Sequence, residues 1–172
     1  MSGKPTPGAP APTLSLPLAG GGTYDLSAQS PDAATMVIFY RGLHCPVCET
    51  YLTKVKEKAA AFAEAGMPIV LVSMDGQERA EKAKSDWNLG DIPVAYDLTE
   101  AQARDWGLYI STSIKEVEPQ TFCEPGSFWV LPDGTLYLID IASMPFARPD
   151  LDILLSRVVA IGNGYPPRGT KA

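Results

Sequence analysis

Cysteine and histidine are scarce in this chain: three cysteines and one histidine in 172 residues. Three cysteines cannot build the disulfide framework of a small extracellular domain. Positive charge is also short, with 14 Lys and Arg against 20 Asp and Glu, a net charge of −6 and a pI near 4.7. That balance argues weakly against nucleic acid and against anionic membrane surfaces as partners. No apolar run approaches membrane-spanning length. Gly-rich phosphate loops of the G-x-G-x-x-G or P-loop type are missing, and no haem, flavin or nicotinamide motif is visible, so no cofactor is expected. The N-terminus MSGKPTPGAPAP lacks the apolar segment of a signal peptide, and a cytoplasmic protein is the simplest expectation.

What is present is a chain long enough for one domain with a real core, 45 % of it hydrophobic. Its organising stretch is Met36 to Ala65. Met36-Val37-Ile38-Phe39-Tyr40 has the length and β-branched content of a buried strand. Arg41-Gly42-Leu43-His44 is a tight connection. Cys45-Pro46-Val47-Cys48 then opens a helical pattern, with Val47, Tyr51, Leu52, Val55, Ala59, Phe62 and Ala63 on one face. Cys45 stands at the N-cap position, and Pro46 suits the first helical position because its missing N–H would be unpaired there. Cys45 and Cys48 then lie within one turn, close enough to form a disulfide. The free amides and positive end of the helix stabilise a thiolate. One sulfur can attack a peroxide or disulfide and the other can resolve the product.

Around this centre the chain divides into a flexible arm (residues 1–12, with four prolines), a domain (13–162) and a polar tail (163–172). Thr13 to Leu18 and Thr23 to Leu26, joined by Gly20-Gly21-Gly22, predict a β-hairpin. Gly66 ends the long helix. Pro68 to Met74 reads as a strand of the fully buried, parallel kind, Glu78 to Trp87 as a charged helix and Ile92 to Tyr96 as a short strand. Thr99 and Gln102 have capping-box spacing for a further short helix. Residues 110–124 show no period and read as a long loop. Gly126 to Leu131 and Leu136 to Ile141, joined by Pro132-Asp133-Gly134-Thr135, predict a second hairpin. A last helix buries Leu151, Leu154, Leu155, Val158 and Val159. Alternating strands and helices imply an α/β layer with parallel strands, and the second hairpin adds antiparallel strands at an edge.

The hairpin LSLPLAGGGTYDLS, the segment FYRGLHCPVC, Asp97 followed by EAQARDWGL, and the hairpin SFWVLPDGTLYLID together resemble the thioredoxin-like superfamily. Within it they are most similar to the alkyl hydroperoxide reductase/thiol-specific antioxidant, or peroxiredoxin-like (redoxin), group. The likeness runs over roughly residues 13 to 160. It implies a thioredoxin-like fold, a central mixed sheet flanked by helices, with an N-terminal β-hairpin extension. It also implies a thiol oxidoreductase that reduces hydroperoxides and is recycled by a thioredoxin- or glutathione-type reductant, and it suggests a homodimer. Two departures matter. Aligned on Cys48, the pattern Pro-x-x-x-Thr-x-x-Cys has Arg41 in place of its Pro and Cys45 in place of its Thr. Where relatives carry a second arginine before the last hairpin, this chain has Pro125, the position of the thioredoxin cis-proline that faces the C-x-x-C.

The resemblance therefore leaves two assignments open. In a peroxidase Cys48 attacks and Cys45 resolves; in a thioredoxin-like disulfide reductase Cys45 attacks. Peroxide reduction needs a cation for the leaving oxygen. Arg41 and Arg148 are the candidates, and Arg148 is preferred because redoxin-like sequences often carry a segment like its MPFARP. His44, the sole histidine, precedes Cys45 and either favours the thiolate or is an exposed loop residue. Cys123 is either a third, resolving thiol or an unpaired thiol packed against the hairpin. From another class, Cys45, Cys48, Cys123 and His44 match in number a tetrahedral zinc site, in a redox-sensing or zinc-binding module that is no enzyme. Adjacent His44 and Cys45 would crowd one metal, however, and no second C-x-x-C or H-x-x-x-H exists.

Overall fold

The computed structural model describes residues 4–171. Its centre is a five-stranded sheet. Three of its strands, β3 (Thr35–Phe39), β4 (Ile69–Val72) and β5 (Val94–Ala95), run parallel. The hairpin β8 (Gly126–Val130) and β9 (Leu136–Ile141) joins antiparallel, giving the order β5-β4-β3-β8-β9. Every residue of β3 and β4 is buried, because both faces of the sheet are covered.

Alternation along these strands divides the core in two. Met36, Ile38, Tyr40 and Leu71 face one cluster, which α1 (Pro46–Glu64), α2 (Gln77–Asp86) and α4 (Leu151–Arg157) cover with Leu52, Val55, Phe62, Ala80, Ala83, Leu151 and Leu154. Val37, Phe39, Val70 and Val72 face the other cluster. There α3 (Glu100–Asp105) contributes Ala103, and the hairpin β1 (Ser15–Pro17) and β2 (Thr23–Asp25) contributes Leu16 and Tyr24. That hairpin is fastened to β5 by the bonds Ala19 N–H to Val94 O (2.9 Å) and Tyr96 N–H to Pro17 O (3.1 Å). The capping box at Thr99 and Gln102 is formed. A short helix α5 (Val159–Gly162) follows α4.

The single last helix expected from the sequence is divided into α4 and α5, with Val159 exposed rather than buried, and two further segments differ from the sequence reading. Residues 110–124, expected as a loop, contain an antiparallel hairpin, β6 (Ile110–Thr112) with β7 (Thr121–Cys123). Three-residue strands are too short to show a period. The arm 1–12, expected to be flexible, has its first three residues outside the described range. The rest lies along the β8–β9 hairpin, with Gly8 N–H donating to Leu136 O (2.7 Å) and Ala11 N–H to Gly134 O (2.9 Å). Backbone bonds of this kind carry no side-chain signature.

Candidate active site

The turn between β3 and α1 builds the site. Gly42 takes φ +133°, a conformation that side chains disfavour, and a Cβ there would stand 2.7 Å from Asp75 Oδ1. The close approach lets buried Asp75 accept from Leu43 N–H at 2.7 Å, while Arg79 Nε holds the other carboxylate oxygen at 3.0 Å. The chain then enters α1 with Cys45 as N-cap and Pro46 at the first helical position. Cys45 Sγ accepts from the Cys48 backbone N–H at 3.2 Å, the role an N-cap oxygen usually plays.

Both sulfurs are buried, and both thiols are free. Their surroundings push them apart. The Cys48 thiol donates to Cys45, and the Cys48 amide and Arg41 add to this, so Cys45 is lowered to about 6 despite its burial. Cys48 is raised, first by burial and then by its bond to Cys45, with the Arg148 charge working against both. The pair therefore shares one proton between two sulfurs at neutral pH.

Each sulfur has its own arginine. Arg41 Nη1 reaches Cys45 Sγ at 3.9 Å, and Arg148 Nη2 donates to Cys48 Sγ at 3.0 Å. Arg41 is held by carboxylates: its Nε lies 3.2 Å from Glu124 Oε2 and its Nη2 3.7 Å from Glu118 Oε1. Ser111 Oγ donates to the other Glu124 oxygen at 2.6 Å. Its guanidinium also lies over the Phe122 ring, 4.7 Å from the centroid. Arg148, in the link between β9 and α4, lies over Tyr51 instead, 4.9 Å from the centroid. Its Nε and Nη1 are buried with no hydrogen-bond partner among the described residues.

His44 packs on Phe122 (centroids 4.7 Å apart), with both ring nitrogens buried and unpartnered among the described residues. Burial, and then the Arg41 charge, lower its pKa, which favours the neutral ring. Cys123 is in β7, within the cluster on the opposite face of the sheet from Cys45 and Cys48. Its thiol donates to Tyr40 O at 3.6 Å, and burial raises it to about 12. Pro125 joins β7 to β8, and its carbonyl accepts from Ala142 N–H at 3.0 Å. The cis bond expected before Pro125 is absent: no peptide among the described residues is cis. Its neighbour Glu124 is the residue that reaches toward the thiols, through Arg41. Glu124, Glu118, Asp75 and Tyr51 were not foreseen as site residues. Among the described residues, no group of three or more His, Cys, Asp or Glu is arranged to hold a metal ion.

The sequence model of the AhpC/TSA family matches residues 7–139. The chain belongs to the AhpC/TSA family. It is a thiol-dependent oxidoreductase. Solved peroxiredoxins share the thioredoxin-like fold of this AhpC/TSA protein. Peroxidoxin BcpB from Mycobacterium tuberculosis superimposes with a TM-score of 0.74 at 20 % identity, over 91 % of this chain and 98 % of its own. A peroxiredoxin-like protein from Aquifex aeolicus gives 0.75 at 19 %, over 92 % and 89 %. The reduced 2-Cys peroxiredoxin of Plasmodium vivax gives 0.74 at 15 %, over 92 % and 82 %. No curated protein sequence matches the chain. No helix among the described residues is long and apolar enough to cross a membrane.

Proposed function

We propose that this protein reduces hydroperoxides at the Cys45–Cys48 pair, with Cys48 as the attacking sulfur. The observation that carries this reading is Arg148, whose Nη2 meets Cys48 Sγ at 3.0 Å while Nε and Nη1 are free to donate to peroxide oxygens. The proton of Cys48 passes to Cys45 along their shared hydrogen bond. The Cys48 thiolate attacks the distal oxygen of ROOH, and the O–O bond breaks. Cys48 becomes a sulfenic acid, and the departing RO⁻ takes the proton from Cys45 and leaves as ROH. Arg148 stabilises the charge on the departing oxygen. The Cys45 thiolate then attacks the sulfenic sulfur and expels hydroxide, which closes the disulfide. Two thiols of a thioredoxin- or glutathione-type donor restore the dithiol and are themselves oxidised to a disulfide. A chain with three cysteines and no disulfide framework suits a reducing, cytoplasmic setting.

The test is the rate at which reduced protein reacts with hydrogen peroxide, followed by tryptophan fluorescence. Arg148→Met is expected to slow it at least 100-fold, within the range seen when one stabilising donor is lost. An Arg148→Met variant as fast as wild type would remove the basis of the reading.

A second reading rests on a different observation, the lowered pKa of Cys45. It makes Cys45 the nucleophile of a disulfide reductase with little peroxidase activity. Cys45→Ser would then abolish disulfide reduction outright, with peroxide reactivity low in every variant.

A further inference from the structure

Arg41 and Arg148 do the same work on two sulfurs, but they are held differently. Arg41 is flanked by two carboxylates. Among the described residues no carboxylate pairs with Arg148; the ion pairs there join other groups. The link that carries Arg148 also has little else to fix it. Met144 and Phe146 are exposed, and the turn bond Ala147 N–H to Met144 O (3.2 Å) is internal to the link.

Tyr51 supplies what is missing. It lies one helical turn beyond Cys48 in α1, so the two side chains share a face. Its ring lies beneath the Arg148 guanidinium, 4.9 Å from centroid to Cζ, and its hydroxyl donates to the Pro149 carbonyl at 2.9 Å. One side chain therefore grips both the cation and the backbone that carries it. Burial raises the phenol to about 12, so the hydroxyl remains a donor at working pH. An aromatic face differs from a carboxylate in one further respect. It orients a guanidinium without an ion pair, so the charge, felt at longer range by Asp140, stays available to sulfur and to a peroxide oxygen.

We propose that Tyr51 is the positioning residue of this site: it fixes Arg148 against Cys48 and so sets the stability of the reduced dithiol. The inference rests on the role given to Arg148 above. It assigns the position of that arginine to a residue of the cysteine-bearing helix itself, in place of an acidic partner.

The measurement is the dithiol–disulfide equilibrium of the full chain against glutathione buffers at pH 7, read by tryptophan fluorescence. A cation beside the sulfurs favours the reduced, partly ionised pair, so losing it shifts the equilibrium towards the disulfide. Tyr51→Leu is expected to shift the equilibrium constant about tenfold in that direction, equivalent to about 30 mV. Tyr51→Phe keeps the ring and loses the hydroxyl, and its shift is smaller but in the same direction; it also serves should the Leu variant fold poorly. In an Arg148→Met background neither change at Tyr51 moves the equilibrium further, the signature of action through Arg148. A shift below twofold for Tyr51→Leu, or an equal shift with and without Arg148, overturns the proposal. The equilibrium uses no peroxide. A wild-type protein inert to peroxide would sink the peroxidase reading and leave this test in place.

Discussion

Arg41 Nε stands 3.2 Å from Glu124 Oε2, and the same guanidinium turns Nη1 towards Cys45 Sγ at 3.9 Å. The buried carboxylate fixes one end of a planar fork, and the fork aims its other end at sulfur. Replacing Arg41 by Gln removes a cation from the thiolate and should raise the first thiol pKa of the protein by about 1 unit. Thiolate absorbance at 240 nm, followed from pH 4 to 9, measures it. An unchanged midpoint would mean that Arg41 serves only to hold the β6–β7 hairpin.

The largest stabiliser of the Cys45 thiolate is the Cys48 thiol itself. Wild type should therefore show its thiolate midpoint at about 6. The thiolate, and the reactivity that depends on it, is present above that pH and lost as pH falls through it. Cys48→Ala removes the donor and should move the midpoint up towards the ordinary thiol range. A midpoint that stays at about 6 would contradict the shared proton.

Gly42 should tolerate no side chain. At φ +133° an alanine is strained, and its Cβ would stand 2.7 Å from Asp75 Oδ1. Gly42→Ala is expected to destabilise the fold by about 2 kcal/mol or more, measured by urea unfolding. It should also lower the peroxide rate, because the turn carries Arg41 and the entry to α1. Wild-type stability would show that the Asp75 cradle yields freely.

The start of α1 was legible because every signal there is local: a β-branched run, a glycine, then Cys45-Pro46 before a 3.6-residue period. The sheet is legible for the same reason, since β3 and β4 are apolar runs and the turn Pro132-Asp133-Gly134-Thr135 marks the β8–β9 hairpin. The electrostatic shell was not. Arg148 meets Cys48 across 100 positions of sequence, and only the likeness to redoxin-like sequences singles it out. Glu124 is hidden because β6 and β7 are three residues each, too short to show a period. Asp75 carries no local signal of a site role, because its partner is Leu43 N–H, 32 positions earlier in the chain. Tyr51 was recognised as part of a buried helix face, but its hydroxyl partner at Pro149 is 98 positions away. Cys123 cannot be assigned to a face from the sequence: it pairs with Ile110 in the β6–β7 hairpin and packs in the core cluster opposite that of the thiol pair.

The most direct test is to treat reduced wild type, Cys45→Ser and Cys48→Ser with hydrogen peroxide and to trap sulfenic acid with dimedone. If Cys48 is the attacking sulfur, Cys45→Ser accumulates the adduct on Cys48 far faster than free cysteine reacts, and Cys48→Ser reacts no faster than free cysteine. A Cys48→Ser protein that reacts at the wild-type rate, with its adduct on Cys45, would contradict the account and make Cys45 the nucleophile.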